Sequence, residues 1–157
     1  MKLRGLVEED FLQYKKPAMF LIMPYCSFKC DLEANNKICQ NSELIKTDII
    51  DIAVDRIINK YVDNPITKAV VFGGLEPMDS WEDLITFIRH LRVRCDDDIV
   101  IYTGYKNDEI EDKIDILKNY KNIIVKFGRF IPGQEPHLDP VLQVSLASLN
   151  QYAVKIS

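Results

Sequence analysis

The chain alternates between short apolar runs and longer stretches in which apolar residues recur every three or four positions. Residues 18–23, AMFLIM, form an unbroken apolar run stopped by Pro24, the pattern of a buried strand. In residues 42–62, Leu44, Ile45, Ile49, Ile52, Ala53 and Ile57 lie near helical spacing. That spacing predicts one amphipathic helix with Asn41 or Ser42 as its N-cap. After Asn64-Pro65, KAVVFGG reads as a β-branched strand ended by two glycines. A second amphipathic helix follows in DSWEDLITFIRHLRVR, with Asp79 and Glu82 spaced as in a capping box. DIVIYTGY is the next strand, NDEIEDKIDILKNY a third helix with acids in its first turn, and NIIVKF another strand. The segment from Ile131 to Gln143 carries three of the seven prolines and reads as irregular. A last short strand is expected in YAVKI.

Strands that alternate with helices imply right-handed crossovers and a mainly parallel sheet. In such sheets the chemistry sits beyond the carboxyl ends of the strands. The segments that leave the four strands are PYCSFKC, GGLEPMD, TGYKND and GRF. All are rich in Gly, Cys or polar residues, and all are expected to gather at one edge.

Composition narrows the picture. A length of 157 residues with 47% hydrophobic content suits one domain, residues 1–157, with a core that needs no disulfide staples. The start, MKLRGLVEEDFLQYKK, has no apolar stretch of the signal-peptide kind, and no apolar run approaches the roughly 20 residues of a membrane span. A cytoplasmic location, where thiols stay reduced, is therefore expected. A net charge of −4 argues against nucleic acid as the main partner, and no membrane partner is expected.

Three of the four cysteines, Cys26, Cys30 and Cys39, fall within fourteen residues, among Lys29, Asp31, Glu33, Asn35, Asn36 and Lys37. A segment this polar is not core, so the thiols read as metal ligands. Three thiolates suit an iron–sulfur cluster with one iron left open. They also suit a zinc site closed by Cys95, His90 or His137. Cys95, apart from the others, reads as an ordinary free thiol, and His90 as solvent-facing.

Cys-x3-Cys with a third cysteine, placed directly after the first core strand, resembles the radical S-adenosylmethionine (SAM) superfamily. VVFGGLEPMD resembles that superfamily's Gly-Gly-Glu-Pro stretch. IVIYTGY, VKFGRF, LASLNQYAVKI and Cys39-Gln40-Asn41 resemble segments of the activating enzymes of anaerobic (class III) ribonucleotide reductases. Two departures stand out. The third gap is eight residues, DLEANNKI, where the superfamily has two, which reads as an insertion that still returns Cys39 to the cluster. Leu75 stands between the glycines and Glu76, a residue the superfamily stretch lacks.

The resemblance implies an α/β fold of the radical SAM type, a partial (open) parallel β/α barrel. It implies a 4Fe–4S cluster on Cys26, Cys30 and Cys39, with SAM chelating the fourth iron and cleaved reductively to a 5′-deoxyadenosyl radical. It places Ile38 beside adenine, and Gly73, Gly74, Glu76 and Thr103 around SAM. Phe28 would shield the cluster. Tyr105 reads as turn chemistry, Asn41 and Ser42 as a helix cap, and Lys126 and Arg129 as solvated strand-end charges. The implied activity is a radical SAM oxidoreductase that generates a glycyl radical. Its implied partners are an anaerobic ribonucleoside-triphosphate reductase and an electron donor such as flavodoxin or ferredoxin. Two other readings stay open here: a radical SAM enzyme acting on a small molecule, of the 7-carboxy-7-deazaguanine synthase type, and a zinc-binding module without catalysis.

Overall fold

The computed structural model describes residues 1–157. The chain opens with two strands, β1 (Lys2–Leu3) and β2 (Gly5–Asp10), and then β3 (Ala18–Ile22). A short helix α1 (Lys29–Ala34) and a 3-10 turn (Ser42–Lys46) lead to β4 (Ile50–Asp51) and α2 (Val54–Asp63). Strand β5 (Ala69–Gly73), helix α3 (Trp81–Arg92), strand β6 (Asp98–Tyr102), helix α4 (Glu111–Leu117) and strand β7 (Ile123–Phe127) complete the alternation. The tail adds β8 (His137–Leu138), β9 (Ser145–Leu146) and β10 (Tyr152–Lys155).

The main sheet has six strands in the order β10-β7-β6-β5-β3-β2. The four central strands run parallel, and β2 and β10 close the two edges antiparallel. The fold is therefore α/β with a mostly parallel central sheet, as the alternation of elements predicts. Successive side chains on a strand point to opposite faces, so each central strand feeds two cores. On one face Met19, Leu21, Val70, Phe72, Ile99, Ile101, Ile123 and Val125 join the apolar stripes of α2, α3 and α4 in a cluster of 23 buried residues. On the other face Ala18, Ala69, Val71, Val100 and Ile124 meet Tyr14, Leu142 and Leu146 in a cluster of nine. Helices cover the first face. The C-terminal tail covers the second.

Two expectations fail for local reasons. The single helix predicted over residues 42–62 is broken. Ser42–Lys46 makes only a 3-10 turn, and α2 begins at Val54. Between them Ile50–Asp51 pairs with Lys2–Leu3, and the Ile52 amide donates to the Met1 carbonyl. The intervening Thr47, Ile49, Ile50 and Ile52 are β-branched, which favours the extended chain wherever a strand partner is on offer. The capping box at Asp79 and Glu82 also fails. Ser80 precedes α3 without a side-chain cap, and Asp79 turns toward the cysteine segment instead.

Candidate cluster and cofactor site

The face of the sheet that the helices leave free carries, toward the carboxyl ends of its strands, Phe20, Ile22, Gly73, Tyr102 and Lys126. A side chain at Gly73 would crowd this layer, because its Cβ would lie 3.1 Å from Phe20 and 3.3 Å from Tyr102. Above the layer opens a cavity of about 480 Å³, well inside the size range of small-ligand sites. All four post-strand segments line it: Cys26, Ser27, Lys29 and Cys30 after β3, Gly73 to Glu76 after β5, Thr103 to Tyr105 after β6, and Gly128 to Phe130 after β7. Cys39 joins them from the far end of the cysteine segment, and Ser145 to Ala147 with Gln151 form the tail-side wall.

Each wall is fastened by identifiable bonds. Gly74 has a φ of +78°, and a Cβ there would sit 2.6 Å from Ile22 Cγ2, so both conformation and space demand glycine. The Glu76 amide donates to the Tyr25 carbonyl at 2.9 Å, which ties the Gly-Gly segment to the cysteine segment. Asp79 accepts from the Ser27 amide (2.6 Å) and the Tyr105 hydroxyl (2.7 Å) and locks the same junction from below. On the tail side, the Gln151 amide group accepts from the Ala147 and Ser148 amides and donates to the Gly128 carbonyl, while Asn150 donates to the Arg129 carbonyl. The Ser-x-Asn-Gln segment thus acts as a staple that holds the tail over the cavity.

Glu76 borders the cavity but is buried. Its carboxylate accepts from Thr103 Oγ1 (2.7 Å), the Met78 amide (3.0 Å) and the Gly104 amide (2.8 Å). An ionised carboxylate offers about four acceptor positions, so one remains. Leu75 leaves the Glu76 carboxylate at the cavity edge. It is itself buried in the cavity lining, and the carboxylate lies between the ends of β5 and β6. Burial pushes the Glu76 carboxyl up to about 7, against the pull of its three hydrogen bonds. Lys126 lines the same cavity, its Nζ donating to the Gly128 carbonyl, and burial brings its ammonium down to about 8.

Of the residues singled out in the sequence, Cys26, Cys30, Cys39, Gly73, Gly74, Glu76 and Thr103 come together here. Ile38 and Phe28 lie outside the lining, and Phe28 instead takes a left-handed conformation, φ 50°, to start α1. Lys126 and Arg129 are not the solvated charges expected. They are 7% and 5% exposed, and both face the cavity. Tyr105 is more than a turn residue, since its hydroxyl reaches Asp79 and its ring carries Lys29 at 4.4 Å. Asn41 also lines the cavity and makes no side-chain cap. Gln13, in a segment with no periodic signal, has no counterpart in the sequence reading, and Tyr102 and Gln151 enter it only as members of the IVIYTGY and LASLNQYAVKI segments.

The donor set fits an iron–sulfur cluster better than zinc. All four cysteines are free thiols. Burial pushes Cys26 up to about 12 and Cys30 up to about 11, the latter also because the Cys39 thiol lies beside it. Cysteine thiols become thiolates when a bound metal displaces their protons. Cys95, His90 and His137, the candidates for a fourth zinc donor, all lie outside the cavity. A multi-iron cluster spreads its ligands over several metal atoms, whereas one zinc ion needs four donors at a point.

Residues 17–150 match the family model described as "4Fe-4S single cluster domain". The chain belongs to this 4Fe-4S single cluster domain family. The match runs from the residue before β3 to Asn150, so it includes all the cavity-lining residues except Gln13 and Gln151. A curated relative, the anaerobic ribonucleoside-triphosphate reductase-activating protein of Haemophilus influenzae, is 31% identical over 105 residues. The alignment covers 64% of this chain and 64% of the relative, so the chain spans less than two thirds of that relative's length. No solved structure matches the chain. No helix is long and apolar enough to cross a membrane.

Proposed function

We propose that this 4Fe-4S domain is a radical SAM activating enzyme that generates a glycyl radical on an anaerobic ribonucleoside-triphosphate reductase. The observation that carries the reading is one cavity in which three cysteine thiols meet a glycine-lined floor and a buried carboxylate with one acceptor position left unfilled. Cys26, Cys30 and Cys39 hold the cluster. When bound, the cluster and SAM together supply one-electron reductive cleavage of a carbon–sulfur bond. The chain's own residues bind and orient. Glu76, with one acceptor position left, takes the SAM ammonium, and a cation there restores its ionised form. Gly73 and Gly74 let the ligand approach the backbone, Thr103 fixes Glu76, and Lys126 and Arg129 offer positive charge to a ligand carboxylate. Ile38 and Phe28 lie outside the lining, and the resemblance alone assigns them to adenine and to the cover of the cluster. The open parallel sheet acts as a partial barrel of the radical SAM type, in the cytoplasm, with an electron donor such as flavodoxin or ferredoxin and with neither nucleic acid nor membrane as a partner.

The test is anaerobic. Reduced protein with SAM alone is expected to release methionine slowly. With the reductase present, a protein-based glycine radical is expected in the electron paramagnetic resonance (EPR) spectrum. Consumption of a purine-like small molecule, with no glycyl signal, would replace this reading by the small-molecule one. Tightly bound zinc in anaerobically purified protein would end both.

A further inference from the structure

The eight residues between Cys30 and Cys39 pose a mechanical problem. A loop this long on the surface has no reason to return its third cysteine to one place, and the segment buries nothing: α1 has no buried residue and neither does the 3-10 turn that follows Cys39. The chain solves it with one side chain. Helix α1 begins at the left-handed Phe28 and ends at the left-handed Asn35, so the polypeptide doubles back on itself. Asn36 then donates its amide to the Asp31 carbonyl at 3.2 Å. Asp31 Oδ1 accepts from the Ile38 amide at 2.9 Å and from the Cys39 amide at 2.8 Å. The same oxygen lies 3.9 Å from Cys30 Sγ.

We propose that Asp31 is the positioning residue of the inserted loop: its carboxylate clamps the Ile38 and Cys39 amides and so presents Cys39 as the third cluster ligand. The inference rests on the cluster reading of the three cysteines. Two consecutive amides on one oxygen fix the direction of the peptide between them, and the Cα of Cys39 with it. A charged acceptor makes these bonds stronger than neutral ones. Asp31 is the first residue after Cys30, so the clamp joins two ligands across the shortest covalent path available. Glu33, two residues on, adds a looser tether, lying 3.5 Å from Arg129 Nε, which has no hydrogen-bond partner of its own. The carboxylate also puts a negative charge beside the cluster, and net charge is one of the terms that sets a cluster's potential.

Two substitutions separate the roles. Asp31→Asn keeps an oxygen that accepts both amides but removes the charge. Asp31→Ala removes both. Wild type, both variants and Cys39→Ala are reconstituted anaerobically with iron and sulfide. Iron per chain, cluster loss to a chelator and the midpoint potential are then measured, with circular dichroism of the apo-proteins as a check on folding. Asp31→Ala is expected to fold as wild type but to lose its cluster roughly tenfold faster, the order expected for a lost bond to a charged group. Asp31→Asn is expected to retain the cluster at a more positive potential, because the reduced cluster no longer faces the carboxylate. Wild-type loading and chelator resistance in Asp31→Ala, or an unshifted potential in Asp31→Asn, overturn the proposal. Wild type that loads no cluster overturns the cluster reading itself, and full loading of Cys39→Ala shows that Cys39 is not the ligand the clamp presents.

Discussion

The two halves of the cavity are built by opposite means. The sheet half consists of strand ends whose neighbours are buried on both faces: Val71, Phe72 and Gly73 on β5, Ile101 and Thr103 at the end of β6, Phe127 and Gly128 at the end of β7. Packing holds it in place, and interiors packed this closely do not deform continuously. The cysteine half, from Tyr25 to Lys46, contains two helical turns without one buried residue between them and without a side-chain N-cap on either. It hangs on a few polar bonds: those of Asp31, the Glu76-to-Tyr25 amide bond, and the Lys29 and Glu33 contacts with Glu109 and Arg129. The difference teaches that the ligand-binding frame forms with the fold, whereas the ligand-holding loop depends on what it holds. Substitutions in the loop should therefore cost cluster, and substitutions in the frame should cost stability or SAM affinity.

The sharpest break comes from the loop. Replacing Cys26, Cys30 or Cys39 by Ala is expected to abolish the 4Fe–4S chromophore entirely, while the apo-protein's unfolding free energy changes by less than about 1 kcal/mol, as for other residues outside a core. Cys95→Ala is expected to keep its cluster. Absorption at visible wavelengths and denaturant melts measure the two halves of that statement. A cluster that survives Cys39→Ala would mean the frame, not the loop, supplies the third ligand.

Gly74→Ala tests the frame. The φ of +78° and the 2.6 Å approach to Ile22 act together, and the cost is expected to be roughly 2–4 kcal/mol. Denaturant unfolding reads it directly. Neutral behaviour would show that the frame yields as easily as the loop.

Glu76→Gln is expected to leave iron content unchanged and to weaken SAM binding by roughly 1.5–3 kcal/mol, the range of a charge-assisted bond. Equilibrium binding to the anaerobic holo-protein is the measurement, and unchanged affinity would move SAM recognition from the carboxylate to the backbone.

The smallest expected effect is the pH dependence. The Glu76 carboxyl is held up to about 7 by burial. An ammonium ligand binds the ionised form, so affinity should rise as pH climbs from 6 to 8, by roughly tenfold, and then level off. Lys126, brought down to about 8, and Asp79 are the other charges acting near it. The Glu76→Gln variant should show no such rise.

The same contrast governs what could be read from the sequence. Strands β3, β5, β6 and β7 are legible because each is a short, mostly apolar run whose residues are nearly all buried, and the edge strand β10, with only Ala153 buried, is legible as the short run YAVKI. Strand β2, GLVEED, was not, because an edge strand exposes one side and carries acids there. The run Thr47–Ile52 looked helical because its isoleucines fall at helical spacing, and only its pairing partner Lys2–Leu3, far away in sequence, makes it extended. In the site, the cysteines, the two glycines, Glu76 and Thr103 were legible through motif and strand-end position. Lys126 and Arg129 read as solvated from the sequence alone, yet both are buried. Their burial comes from the tail, whose Gln151 and Asn150 fold back over Gly128 and Arg129, and from Glu109, which grips Arg129 with two 2.7 Å bonds. Long-range contacts of this kind leave no periodic trace.

The central claim is that loop and frame meet at one ligand, with the cluster on the cysteines and SAM between it and Glu76. The EPR spectrum of the dithionite-reduced protein, recorded with and without SAM, tests this most directly. SAM is expected to shift the g-values of the reduced cluster at saturating concentration, and Glu76→Gln to show the same shift only at a higher SAM concentration. A reduced cluster whose spectrum is unchanged by saturating SAM would contradict the account.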